Sequence, residues 1–161
     1  MDFRSKLLNA VSLPAWRESQ RAAGRRLVVT NGCFDLLHLG HVTYLETARN
    51  LGDLLLIGVN SDRAVTMLKG PQRPVNTKTD RALVLASLES VSAVFIFDSP
   101  AATDFLAIAG PDIYVKGGDY TLETLNQQER GVVEKAGGRI AIIPFVPGKS
   151  TTATLAKISK L

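Results

Sequence analysis

From Leu27 onward, short apolar runs alternate with stretches of helical periodicity, and this alternation restricts the fold more than any other feature of the chain. The runs at 27–30, 54–59, 93–97, 113–116 and 140–144 read as strands. Helices are predicted at about 41–50, 62–68, 80–90, 101–109 and 125–136, with a last one at 152–160. Most of the strand runs are continuously apolar, as a strand requires when both faces of its sheet are covered. The expectation is therefore an α/β domain over 27–161, with a parallel sheet wound on both sides by helices. Residues 1–26 read as a helical extension: Ser12-Leu13-Pro14 resembles a helix start and Gly24 a stop. Trp16 in that helix has two possible seats, the main body or another subunit.

In such sheets ligands bind beyond the carboxyl ends of the strands, so the loops after the strands form the shortlist of functional segments. The first is 31–49, NGCFDLLHLGHVTYLETAR, which holds both histidines, His38 and His41. They fall where a strand hands over to the first turn of a helix, a place with unpaired N–H groups and the positive end of the helix dipole. Two imidazoles three positions apart there face the same way. Gly32 and Gly40, lacking Cβ, allow backbone or ligand to approach. Asp35 lies in an apolar run, where an unpaired carboxylate is costly.

The second strand is followed by Asn60-Ser61-Asp62, a good helix cap. After the fourth comes Lys116-Gly117-Gly118-Asp119-Tyr120, a turn that offers close approach and two opposite charges. After the fifth comes VPGKSTT, whose Ser150, Thr151 and Thr152 suit both N-capping and phosphate binding. It is not a nucleotide-binding P-loop, which would need glycine at position 143, occupied by Ile143. Lys69 and Arg73 in the loop LKGPQRPV, and Arg81 opening the next helix, are candidate clamps for phosphates. A cation at a helix N-terminus opposes the dipole, so a bound anion would account for Arg81.

With 161 residues the chain has room for one well-packed core. The net charge of +4 suits a polyphosphate substrate. Part of the excess is Arg17, Arg21, Arg25 and Arg26, which read as a solvated helix face. The sequence carries no zinc-ligand spacing, no RNA-binding aromatic signature and no basic run interleaved with aromatics, so nucleic acid is not an expected partner. No apolar run approaches membrane-spanning length, and no membrane partner is expected. The single cysteine, Cys33, excludes an intramolecular disulfide and fits a reducing cytoplasm.

The element G-x-F-D-x-x-H-x-G-H directly after a strand resembles the phosphate-binding signature of the nucleotidyltransferase superfamily. Together with VNSD, LKG…RPV, VKGGDY and G-x-STT, it makes nearly everything from Val28 to Thr152 similar to the adenylyltransferases that make ADP-activated heptose. The resemblance implies a Rossmann-like five-stranded sheet in the order 3-2-1-4-5. It also implies Mg²⁺-dependent transfer of AMP from ATP to a sugar 1-phosphate, D-glycero-β-D-manno-heptose 1-phosphate, with release of pyrophosphate. The roles that go with this reaction are catalysis by His38, His41 and Lys69, and acceptor binding by Asn60, Arg73, Arg81 and Asp35, for which holding the loop or meeting the metal through water are the other readings. Nucleotide contacts fall to Gly32, Cys33, Phe34, Gly40 and His41, to Lys116, Gly118 and Asp119, and to Ser150, Thr151 and Thr152. No protein ligand to a metal is assigned. A homodimer or higher homo-oligomer is the family expectation, as is a separate heptose kinase upstream, since no kinase half is seen.

Two departures qualify the resemblance. Lys149 stands where a small or neutral residue is expected. The similar glycerol 3-phosphate cytidylyltransferases carry arginine where this chain has Phe145, which weakens the cytidylyl alternative. A non-enzymatic ATP sensor is a further alternative; it would not need both histidines together with Lys69.

Overall fold

The structure is a computed structural model and describes residues 2–144 and 146–160; Phe145 lies outside the described residues, as does any argument resting on it. Asp2 caps a 3₁₀ turn at Phe3–Lys6, which leads into β1 (Leu7–Leu8) and then α1 (Ser12–Ala22). Five β-α steps follow, of which the first two are β2 (Leu27–Gly32) with α2 (Leu39–Arg49), and β3 (Leu54–Asn60) with α3 (Asp62–Lys69) and α4 (Lys78–Ala86). The remainder is β4 (Ala93–Phe97), α5 (Thr103–Ala109), β5 (Ile113–Gly117), α6 (Gln127–Lys135), β6 (Arg139–Ile143) and α7 (Thr151–Ile158).

All strand pairs are parallel, in the order β1-β4-β3-β2-β5-β6. The five long strands thus keep the order expected from the sequence, and a sixth is added at the edge. The addition corrects the view of 1–26 as purely helical. Leu7 and Leu8 pair with Val94 and Phe95. Leu7 packs on one core and Leu8 on the other, as neighbours on a strand must. Two residues are too short a run to show a period, which is why the sequence does not reveal this strand.

Alternate strand residues divide between two cores. On one face Leu27, Val29, Leu56 and Phe95 meet Leu13 of α1, Phe105 and Leu106 of α5, and Val133 of α6. On the other, Val28, Leu55, Ile57 and Val94 meet Leu45 of α2 and Leu85 of α4. Trp16 packs against the first core, which settles its seat on the main body. The chain leaves β2 towards β3 on one face and reaches β5 by way of α5 on the other. The strand order therefore reverses between β2 and β5, and a crevice opens beyond their carboxyl ends. Among the described residues no helix is long and apolar enough to cross a membrane.

Candidate active site

The crevice is a cleft of about 920 Å³, of a size to hold a nucleotide and a small second substrate. One wall is the β2–α2 connection. Here the backbone turns at Phe34, whose φ of 46° is in the left-handed region, and the ring folds back over Gly32. A Cβ on Gly32 would come within 3.0 Å of that ring, so glycine is what lets it close. His38 is the N-cap residue of α2 and His41 lies in its first turn. Their rings stack with centroids 3.9 Å apart, and Phe34 meets His41 edge-on at 5.4 Å. Gly40 makes this arrangement possible, because a Cβ there would lie 3.0 Å from His38 Nδ1 and 3.1 Å from Lys149 Cβ.

Burial lowers the His41 pKa to about 4, with His38 alongside adding to the effect. His38 is lowered in the same direction, by burial and by the charge of Lys149. Both Nδ1 atoms are buried and, among the described residues, have no hydrogen-bond partner at normal geometry; the Leu36 backbone beside His41 opposes the lowering of its pKa. Two neutral imidazoles with unmet hydrogen-bonding capacity, at a helix N-terminus and beside a lysine, form a receptor for an anion that supplies the missing charge.

The opposite wall is the β5–α6 connection. Lys116 Nζ sits 4.8 Å from the centre of the Tyr120 ring and 5.5 Å from that of Tyr114. It also lies 3.4 Å from Asn31 Oδ1 and 3.8 Å from Glu129 Oε2. Burial lowers its pKa, and the charges of Glu129 and Asp119 oppose the shift. Glu129 is buried and accepts hydrogen bonds from Tyr114 Oη at 2.8 Å and the Ala102 N–H at 2.8 Å. Asp119 stands exposed on the rim. Gly118 is not part of the cleft wall, although its neighbours Gly117 and Asp119 are.

The end of the cleft is the start of α7. Ser150 caps the helix, accepting from the Ala153 N–H at 3.0 Å, and Thr151 Oγ1 donates to the Leu36 carbonyl at 3.2 Å. Thr152 and Lys149 complete that wall. Lys69, the last residue of α3, is exposed and lines the cleft from the side of Cys33.

The four residues expected at the acceptor divide into two sets. Asp35, Arg73 and Asn60 line the cleft. The Asp35 carboxylate, however, is fully buried and already holds Arg73 Nε at 2.6 Å and the N–H groups of Val75 and Asn76. It secures the 70–77 loop against the histidine loop. Asn60 donates to the Ser99 carbonyl at 3.1 Å. Arg81 requires a correction. Its side chain is fully buried and donates to the carbonyls of Cys33, Asn60 and Asn76 and to Asp62 Oδ1. It is absent from the cleft wall. The compensating groups at this helix start are three main-chain carbonyls and the Asp62 carboxylate, and Arg81 is a strut that joins three loops.

Sequence reading missed Asn31, Tyr44 and Glu129 as cleft residues. Tyr44 Oη bonds Thr30 Oγ1 at 2.8 Å under the histidine turn. Glu129 lies in the polar stretch QQERGVVEK, which has no apolar rhythm to mark one of its acids as buried. Tyr120 did carry a signal, as an aromatic directly after Lys-Gly-Gly-Asp.

Among proteins of known sequence, the bifunctional protein HldE of Methylobacillus flagellatus is 50% identical over 155 residues, covering 96% of this chain and 31% of that protein. Its counterpart in Geotalea uraniireducens is 47% identical over 157 residues, covering 98% of this chain and 32% of that protein. The chain thus spans about a third of the length of these relatives. Among solved structures, a lipopolysaccharide core biosynthesis protein from Thermoplasma volcanium superposes with a TM-score of 0.62 at 26% identity, covering 76% of this chain and 98% of that one. Pantoate-beta-alanine ligase from Francisella tularensis shares the fold alone, with a TM-score of 0.56 at 11% identity over 96% of this chain and 79% of that one. The family model described as cytidylyltransferase-like matches residues 29–154, the span that carries every wall of the cleft, and the chain belongs to this family of nucleotidyltransferases.

Proposed function

We propose that the chain transfers AMP from ATP to the phosphate of D-glycero-β-D-manno-heptose 1-phosphate, giving ADP-heptose and pyrophosphate. The observation that carries this reading is the stacked, uncharged His38–His41 pair at the start of α2, facing a cleft with lysines at 69, 116 and 149. The identity of 43–50% to HldE proteins along nearly the whole chain supports the choice of sugar and base over the cytidylyl alternative.

In the reaction an oxygen of the sugar phosphate attacks the α-phosphorus of ATP, a new P–O bond forms, and the bond to the pyrophosphate oxygen breaks. The nucleophile is already anionic, so no general base is required. What the protein supplies is alignment and compensation of charge on the α-phosphate and the leaving group. His38, His41 and the first turn of α2 face the phosphates, and Lys69 and Lys149 flank them. Arg73, tethered to Asp35, positions the loop that carries the far side of the cleft.

Mg²⁺ is proposed to enter with ATP, held chiefly by the triphosphate, where it neutralises charge on the leaving group. The donor set fits an ion bound that way. Of the carboxylates in the described cleft wall, Asp35 and Glu129 are committed to protein donors, and Asp119 alone is free at the rim. Assembly as a homodimer and action in the cytoplasm are parts of the same proposal.

Pyrophosphate release measured with ATP or CTP, each against heptose 1-phosphate and glycerol 3-phosphate, tests the reading. Release with ATP and the heptose phosphate alone is expected. Release with CTP and glycerol 3-phosphate would replace it by the cytidylyl reading, and ATP binding without release by the sensor reading.

A further inference from the structure

Of the four arginines of the N-terminal segment, Arg21, Arg25 and Arg26 are exposed, as a solvated face requires, but Arg17 is buried. Arg17, on α1, has only 5% of its side chain exposed. Its Nε and Nη2 donate to the Gly110 carbonyl at 3.1 and 2.9 Å, and Nη2 reaches Asp112 Oδ2 at 3.2 Å. Its Nη1 is buried with no partner among the described residues. Burial lowers the Arg17 pKa, with Arg21 adding to the shift and Asp112 opposing it. Arg21 lies close by: a Cβ on Gly110 would come 3.2 Å from its Nη2. Gly24, at a φ of 68°, then turns the chain so that Arg25 and Arg26 close the same hollow of about 290 Å³. Asp112 is the only acid in its wall, and the Oδ2 that holds Arg17 already accepts the Leu27 N–H at 2.6 Å. Arg21 Nη1 also reaches Glu18 Oε2 at 3.4 Å, so four guanidinium groups line the hollow with two carboxylates near them.

We propose that this hollow is a second anion site, which takes the phosphate group of a small phosphorylated molecule. It lies at the amino ends of β2 and β5, the end of the sheet remote from the catalytic cleft, so it is independent of the reaction proposed above. Guanidinium groups match the geometry of phosphate oxygens through paired N–H donors. A phosphate brings several acceptor oxygens and negative charge, which the excess of guanidinium groups around the hollow lacks. A nucleic-acid backbone would instead call for an open basic stripe rather than a hollow closed at its floor by a buried arginine.

Amide spectra of the full chain, titrated with inorganic phosphate at ionic strength held constant with chloride, test the proposal. Saturable shifts of the Gly24 and Gly110 amides are expected. They should disappear in an Arg21→Gln/Arg25→Gln variant, whose exposed substitutions leave Arg17 and the fold in place, while the Gly40 amide in the catalytic cleft responds as in the parent. Three outcomes would overturn the assignment: Gly24 and Gly110 amides that stay still, amides that move equally with chloride alone, or amides that move unchanged in the double variant. An oligonucleotide that shifts the same amides at lower concentration than phosphate would reassign the hollow to nucleic acid.

Discussion

His38 and His41 stack at 3.9 Å with 21° between ring planes, so that protonating either ring places a charge against its neighbour. The His41 pKa of about 4, against 6.5 for a free imidazole, follows first from burial and then from that neighbour. Between these two values the unfolded chain takes up a proton that the folded chain refuses. Stability from this group is therefore present above about pH 6.5 and is lost as pH falls through about pH 4. Urea midpoints measured across this window should fall more steeply for the parent than for His41→Ala. Parallel curves would mean that His41 is not held neutral by the fold.

The same ring should matter to turnover. Loss of one preorganised donor to developing charge typically costs ~10²–10³ in rate. A folded His41→Ala protein is expected to lose turnover on that order in the pyrophosphate-release assay, with a smaller effect on nucleotide affinity. Near-parent turnover would remove the imidazole pair from the chemistry.

Asp35 and Arg73 make a prediction about stability that is separate from catalysis. The carboxylate is fully buried and satisfies Arg73 Nε and the Val75 and Asn76 N–H groups together. Asp35→Ala strands all three donors and should cost about 3–5 kcal/mol in a denaturant titration, the usual range for breaking a buried pair from one side. Arg73→Met leaves Asp35 with its two backbone donors and should cost less. Equal costs would show that the arginine, not the backbone, is the main anchor of the carboxylate.

These residues also show what a sequence reveals and what it conceals. The parallel sheet and the histidine turn were legible because each rests on a local pattern: continuous apolar runs for buried strands, and a glycine-flanked histidine pair between strand and helix; the strand order came with the family resemblance. The place of Arg81 is not legible because three of its partners, the carbonyls of Cys33, Asn60 and Asn76, are main-chain atoms with no side-chain signature, and the fourth, Asp62, reads as a plain helix-cap acid. Glu129 escaped notice for a related reason, since it is recognisable only through Tyr114, 15 residues away on a neighbouring strand. Local periodicity reports which face of an element is buried. It does not report where a buried polar group finds its partner.

Gly58, in the middle of β3, gives a prediction on packing. A Cβ there would lie 2.5 Å from Phe105 Cε1, and Phe105 is itself stacked between Phe95 and Phe97 at 5.5 and 5.4 Å. The ring has no open side to move into, because it is only 2% exposed. Gly58→Ala should therefore destabilise the fold by about 1–3 kcal/mol through overpacking, despite alanine's better fit to regular secondary structure. An unchanged denaturation midpoint would mean that the aromatic stack yields more easily than its geometry implies.

Cys33 offers a test of where the nucleotide lies that needs no turnover. It is the only cysteine, is partly exposed, and lines the cleft between the Phe34 turn and Lys69. Burial pushes its thiol pKa above that of a free cysteine, and the charges of Lys69, Arg81 and Arg73 only partly offset the rise. The reactive species is the thiolate, so alkylation by iodoacetamide at neutral pH should be slower than for free cysteine and should accelerate as pH rises. If ATP occupies the space between the histidine turn and Lys116, saturating ATP should suppress the reaction, read directly as the mass of the intact chain. Inorganic phosphate, which also reaches the arginine hollow at the far end of the sheet, should protect far less. Alkylation at the same rate with and without ATP would place the nucleotide elsewhere and detach Cys33, Gly32 and Phe34 from its binding.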